Sequence, residues 1–375
     1  MNIAAGSLHD FCVRALLKVG VNETDAKTTA DVLVTTDTWG TFTHGTKALR
    51  AYIRRLKGGG LKTNGHPHIV SEGPAFALVD GDSSLGMVSS VYAMRVAMEK
   101  ARTAGVAFVG LRNNCHYGAA GYYAAMGIPE NMIGFSMAND IPTVNAPGAK
   151  GAVMGSNPWG FAAPAGKEFP IMLDMATATV AGGKVYAAAA LGKPIPAGWI
   201  LDAEGDPSLD ATLFSHAASL TALGGYKGFG FAFLIEILSA VLTGSSISKQ
   251  VLSWSSSDAS LPTGHGAAFI AINIASFLNV DFFKQRMDHL IAEIHATPRK
   301  PGVERLYVPG EIEFEHREKA LKDGIDLPAD VVANLKALSE EIDLPLPSAS
   351  GDEPDLYSDA DILPHRKNPN FRERD

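Results

Sequence analysis

Residues 75–112, AFALVDGDSSLGMVSSVYAMRVAMEKARTAGVAFVGLR, carry the pattern that decides the fold class. The opening AFALVDG is a short apolar run bounded by turn residues, which reads as a buried strand. Met87, Val91, Met94, Met98 and Ala101 then recur at helical spacing and mark one face of a long helix closed by Gly105. VAFVGLR is the next strand. A strand, a helix and a strand in succession predict α/β layering, and the later apolar runs MIGFSMA (132–138) and FPIMLDMA (169–176) add strands.

Upstream, residues 1–65 read as a helical lobe. Leu8, Phe11, Cys12, Leu16 and Val19 share a helical face that stops at Gly20, a usual place for a left-handed cap. Asn22 is placed to cap a second helix running to about Thr36, whose first turn carries Glu23 and Asp25 at the positive helix end. A third helix is expected from about Gly45 to Leu56, ending at Gly58-Gly59-Gly60. Residues 66–311 form the central α/β region, in one or two subdomains, and helices at about 312–345 are expected to pack back on the N-terminal lobe. The polar stretch 346–375, ending HRKNPNFRERD, reads as a poorly ordered tail or an arm gripping a partner subunit.

The chain has 375 residues, 46% hydrophobic and 19% charged, enough apolar material for a large core divided over two or three lobes. A formal charge of −8 argues against nucleic-acid binding, because a phosphate backbone demands a basic surface. Cys12 and Cys115 lie far apart and form no C-x-x-C, so neither a disulfide framework nor a thiolate zinc site is expected, and a reducing, cytoplasmic setting fits. The N-terminal MNIAAGSLHDFC does not resemble a secretory signal. The most apolar stretch, Phe229 to Thr243, is shorter than the ~20 residues a bilayer span takes and contains Glu236; it is expected to be a buried helix, with no membrane partner.

No G-x-G-x-x-G occurs, which disfavours an ordinary Rossmann sheet. APGAKG (146–151), AGGK (181–184) and GGYKGFG (224–230) instead combine glycines, which let backbone amides approach a phosphate, with a lysine of opposite charge. Flexible surface turns are the alternative reading. GGYKGFG also opens an apolar helix, so its amides lie at a positive helix end. His44 and His116 stand in turns beside predicted elements and suit proton transfer, with an unperturbed pKa of ~6.5. The alternative is that each only satisfies backbone groups. His66 and His68 are separated by a proline and have no carboxylate cluster nearby, so no metal site is expected. No H-E-x-x-H or G-x-S-x-G occurs.

THGTKALRAYIRRLKGG, NNCHYGAAGYYA, GSNPWGFAAPAG, LDMATATVAGGKV, GGYKGFGFAFLIEILSAVLTG and VPGE, in this order, resemble the malate/L-lactate dehydrogenase family, which is unrelated to the Rossmann-type enzymes of those names. The family also contains ureidoglycolate dehydrogenase, diketogulonate reductase, sulfolactate dehydrogenase and piperideine-carboxylate reductase. The resemblance implies a non-Rossmann α/β fold with a helical N-terminal lobe and a central mixed sheet that binds NAD or NADP, in a homodimer. It implies hydride transfer between a small 2-oxo acid and its 2-hydroxy acid, with a cyclic ketimine as the alternative substrate and a non-catalytic dinucleotide-binding sensor as the alternative outside enzymes. His116 becomes the leading candidate for proton transfer, with His44 orienting the substrate or assisting.

By the same carry-over Asp174, Met175 and Ala176 lie beside the cofactor, Lys227 near its phosphates or ribose, and Pro309, Gly310 and Glu311 at another part of its site. Asp140 stands at a cofactor-contacting position where relatives often have serine. Many relatives have an arginine four residues after the first histidine, and this chain has Ala48 there. On a helix advancing about 100° per residue, Lys47, Ala48 and Tyr52 share the side of His44 and Arg50 points away. Lys47 is then the substitute cation for a substrate carboxylate and Tyr52 a hydrogen-bonding wall; the alternative is a solvent-facing lysine and a packing tyrosine.

Overall fold

The computed structural model of the protein describes residues 1–347. The expected tail from residue 348 onward lies outside them. Among the described residues the central layer is a seven-stranded sheet in the order β2-β3-β4-β13-β5-β8-β9. These strands are β2 (His68–Gly73), β3 (Phe76–Asp80), β4 (Val106–Asn114), β5 (Met132–Ala138), β8 (Trp159–Ala163), β9 (Ile171–Met175) and β13 (His265–Asn273). β3 and β4 run parallel and are joined by α4 (Gly86–Ala104), while every other neighbouring pair is antiparallel. A parallel pair needs such a crossover helix, and the 75–112 pattern encodes one. The mixed sheet follows.

α4 lies on β4 and β13, and its Met87, Val91, Met94 and Ala101 are buried in the main core. The short α5 (Ala120–Ala125) lies on β5 and β8 at glycines, where a side chain would leave it no room. A Cβ on Gly134 would stand 2.2 Å from the Ala124 carbonyl oxygen, and one on Gly160 2.7 Å from the Ala120 carbonyl carbon. The helix therefore rests directly on the strand backbones.

The N-terminal helices are α1 (Ala5–Lys18), α2 (Glu23–Thr38) and α3 (Leu49–Gly58), the last entered through a 3₁₀ turn at Thr46–Ala48. The Asn22 side chain accepts the Asp25 amide at 3.0 Å and caps α2. α9 (Glu311–Asp323) packs on α2, and α10 (Ala329–Ile342) on α3 and its entry turn. β1 (Asn2–Ile3) pairs with β14 (Ile325–Asp326), fastening the two ends of the described chain together.

A second sheet, ordered β11-β10-β12-β6-β7, has a small core of its own around Val144, Val185, Ile200 and Leu220. Its strands are β6 (Pro142–Asn145), β7 (Ala152–Gly155), β10 (Ile200–Leu201), β11 (Pro207–Ser208) and β12 (Ser219–Leu220), and α6 (Gly182–Ala190) joins the same core. APGAKG connects β6 to β7, and its Lys150 is ion-paired with Glu204.

The remaining helices are α7 (Tyr226–Glu236), continued by a π-helical turn Ile237–Val241, and α8 (Val280–Ala296). The expectation that 229–243 is a buried helix is corrected. The segment is helical, but Phe233, Leu234, Ile237, Val241 and Leu242 are exposed, because this helix covers the sheet with one side only. No helix among the described residues is long and apolar enough to cross a membrane.

Candidate active site

β4 and β5 end at the same edge of the sheet, and β13, antiparallel between them, begins there: His265 faces Asn114, and Ala267 faces Ala138. Chain leaving β4 brings His116, chain leaving β5 brings Asp140, and β13 contributes His265. The three side chains converge. His265 Nε2 donates to Asp140 Oδ1 at 3.1 Å, and its Nδ1 meets the Thr263 hydroxyl at 2.8 Å. The bend after β5 is braced from below by buried Glu236 of α7, which accepts from Asn157 Nδ2 at 2.9 Å and from the Ser248 amide at 2.9 Å. Asn157 Oδ1 in turn accepts the Asp140 amide.

The helical lobe closes over this edge. Tyr52 of α3 is fully buried, and its hydroxyl lies 2.6 Å from His116 Nδ1, the same atom that the Gly118 amide approaches at 3.4 Å. Both contacts use Nδ1, so Nε2 is the atom left for a ligand. The Trp254 indole stacks on the His116 ring with centroids 4.2 Å apart. The loop carrying Trp254 is gripped by buried Arg55, which donates from Nε to the Trp254 carbonyl at 2.7 Å and from Nη1 to the Leu261 carbonyl at 2.8 Å.

His44 sits in the turn before α3, its ring centroid 5.5 Å from that of His116 and its Nδ1 2.8 Å from the Thr43 hydroxyl. Asp37, in the last turn of α2, holds this turn by accepting the Thr46 amide and hydroxyl at 3.1 and 2.5 Å. Burial, reinforced by the positive charge of His44, pushes the His116 imidazole down to about 3, so it is neutral at neutral pH. Burial also lowers His44, and Asp140 opposes the fall. Burial works against Asp140 itself, but the hydrogen bond from His265, its charge and the Ile141 amide hold its carboxyl below the usual value.

The structure places the other expected residues in two groups. Asp174 and Met175 end β9 at the same sheet edge, since Met175 faces Trp159 and Trp159 faces Met137; Ala176 follows. Asp174 is exposed, and its carboxylate accepts the amides of Ala120 and Gly121 at the start of α5. Beyond Ala176 the chain runs beside 221–223, with the Leu223 amide donating to the Thr177 carbonyl, which draws Gly224, Gly225 and exposed Lys227 alongside.

Pro309 accepts the Met172 amide at 3.0 Å and so ties the 309–311 turn to β9. Glu311 is 1% exposed and committed inside the chain, accepting from the Val308 amide at 2.9 Å and from His295 and Arg305 at 3.1 Å each. Lys47 is not brought to the histidines: its ammonium lies 2.7 Å from Asp330 of α10, and Arg50 pairs with Glu341. Trp254, His265, Asp37 and Arg55 were absent from the sequence-level candidates. Only His265, in TGHG just before the apolar run AAFIAI, carries a local signal comparable to that of His116.

The architecture has counterparts among known proteins. The protein is 37% identical over 349 residues to the malate dehydrogenase of Pyrococcus abyssi, covering 91% of this chain and 95% of that one. It is 32% identical over 331 residues to a protein of Escherichia coli named ureidoglycolate dehydrogenase (NAD(+)), with 88% and 94% covered. The solved sulfolactate dehydrogenase of Methanocaldococcus jannaschii superposes with a TM-score of 0.85 at 35% identity, over 92% of this chain and 98% of that one. The family model described as malate/L-lactate dehydrogenase matches residues 3–336, from β1 into α10, and thus takes in both the sheet edge and the helices that close it. The protein belongs to the malate/L-lactate dehydrogenase family.

Proposed function

We propose that the protein is an NAD(P)-dependent oxidoreductase that interconverts a small 2-oxo acid and its 2-hydroxy acid. The observation that carries this reading is the pair of imidazoles, His44 and His116, with ring centroids 5.5 Å apart and Trp254 stacked on His116, at the edge where β9 delivers Asp174. The residues present fit a dinucleotide. Gly224 and Gly225 adopt left-handed backbone with open space where a Cβ would stand, and exposed Lys227 follows in the first turn of α7, so amides, helix end and ammonium combine as a phosphate demands. Asp174, exposed between the two lobes of the site, is placed for ribose hydroxyls, with Met175, Ala176, Pro309 and Gly310 lining the same β9 edge. The nicotinamide, when bound, supplies or accepts the hydride.

The protein's own part is proton management. In oxidation the neutral His116 ring, with its hydrogen on Nδ1 towards Tyr52, accepts the substrate hydroxyl proton at Nε2 and becomes imidazolium; in reduction that imidazolium stabilises the negative charge building on the oxygen and returns the proton to it. Tyr52 and Gly118 fix the ring through Nδ1, and Trp254 excludes water from its face. Lys47, the cation expected for a substrate carboxylate, is held by Asp330 of α10 and takes no part in this scheme. A second copy of the chain covers the open apolar face of α7, giving a homodimer.

The test is turnover of NADH and NADPH, followed by nicotinamide absorbance, with a panel of 2-oxo and cyclic imino acids, in wild type and in His44→Ala and His116→Ala. The expected result is a loss of about 10²–10⁴ in kcat for His116→Ala with cofactor affinity unchanged. Cofactor binding without turnover of any substrate, and with both histidines dispensable, would replace the enzyme with a dinucleotide sensor.

A further inference from the structure

Within that reading, we infer that Asp140 selects the substrate by charge: the site takes an acid whose second polar group is an N–H donor, and disfavours one with a second anionic group. The inference rests on where charge is and is not found. Asp140 Oδ1 is occupied by His265 Nε2 and by the Ile141 amide at 2.7 Å, whereas Oδ2 accepts no bond among the described residues. The carboxylate is partly open, at 23% side-chain exposure, it stands beside His265 at the strand ends that deliver His116, and its charge acts on His44, His116 and Tyr52. Asp140 is the carboxylate whose charge acts on both imidazoles.

The nearest candidates for a balancing cation are engaged elsewhere. Ala48 offers none, Lys47 is held by Asp330, and the Arg55 guanidinium is spent on carbonyls of the 253–261 loop. A substrate with two acidic groups would set one of them against an ionised, partly desolvated carboxylate, and like charges at such range are strongly unfavourable where the effective dielectric is low. A protonated imine, an amide or a ureido group would instead donate its N–H to Oδ2.

The experiment compares kcat/KM for the zwitterionic cyclic imine Δ1-piperideine-2-carboxylate with that for the dianion oxaloacetate, in wild type, Asp140→Ser and Asp140→Asn. NADH and NADPH affinities are measured in parallel by fluorescence. Removing the charge is expected to shift the ratio towards oxaloacetate by about tenfold or more, mainly through KM, in both variants. Asp140→Asn retains an oxygen for His265 and Ile141, so it keeps the comparison readable if the serine variant folds poorly. An unchanged ratio with weakened cofactor binding would overturn the inference and make Asp140 a cofactor contact. Wild-type cofactor binding with turnover of no 2-oxo or imino acid would overturn the enzymatic reading itself, a separate failure.

Discussion

Burial under Trp254 and against Tyr52 makes His116 an unusual histidine, because it lowers the imidazole from ~6.5 to about 3. The proton acceptor proposed for oxidation of a hydroxy acid is then already neutral at ordinary pH. The acid limb of kcat/KM for oxidation is expected below the ~6.5 of a free imidazole, and a limb at or above that value would show that substrate oxidation does not use this ring. The same shift acts on stability. The folded pKa is depressed, so the unfolded chain binds the extra proton; the contribution is full above ~6.5 and is lost as pH falls towards about 3.

At the scale of elements, α2 and the entry turn of α3 are joined through one carboxyl group. Asp37 Oδ2 takes both Thr46 donors, while its buried Oδ1 has no partner among the described residues, and burial raises the group to about 7 despite the Thr46 bonds. Here the folded pKa is raised, so the stabilising contribution is full below ~3.9 and is lost as pH rises through about 7. Asp37→Asn, which keeps an acceptor and does not titrate, is expected to flatten the fall in melting temperature across that window; an undiminished fall would assign it to other groups. Gly45 belongs to the same latch. A Cβ there would stand 1.8 Å from Asp37 Oδ1, so Gly45→Ala must displace the turn carrying His44, and a loss of kcat exceeding the loss of cofactor affinity is expected.

For the whole molecule, α7 has two jobs at its two ends. Its first turn presents Lys227 at the proposed cofactor site, and its far half leaves Phe233, Leu234, Ile237, Val241 and Leu242 open to solvent. Isolated apolar residues on a surface are ordinary, whereas a run of them along one helix supports the proposed homodimer. Light scattering is expected to give twice the chain mass. Ile237→Glu with Val241→Glu should halve it and weaken cofactor binding along with it, since α7 would lose its support; a wild-type monomer at assay concentration would refute the dimer.

Much of the fold was legible in the sequence, because it depends on neighbours. The β3-α4-β4 unit follows from a run, a helical stripe and a second run, and the Asn22 cap and the stop at Gly20 follow from residue type. The family was legible too, since its segments stand in order along the chain. The chemistry of the site was only half visible. His44, His116, Asp140 and Tyr52 could each be proposed from the sequence, but no spacing announces that β13, so late in the chain, inserts between β4 and β5 and carries His265 to Asp140. Nor does helical periodicity reveal that Asp330 draws Lys47 aside, or that one face of α7 finds no cover. Local propensity and patterning act over a few residues and are written in the sequence. Strand order, long-range ion pairs and burial depend on how distant segments pack, and those were decided by the tertiary structure.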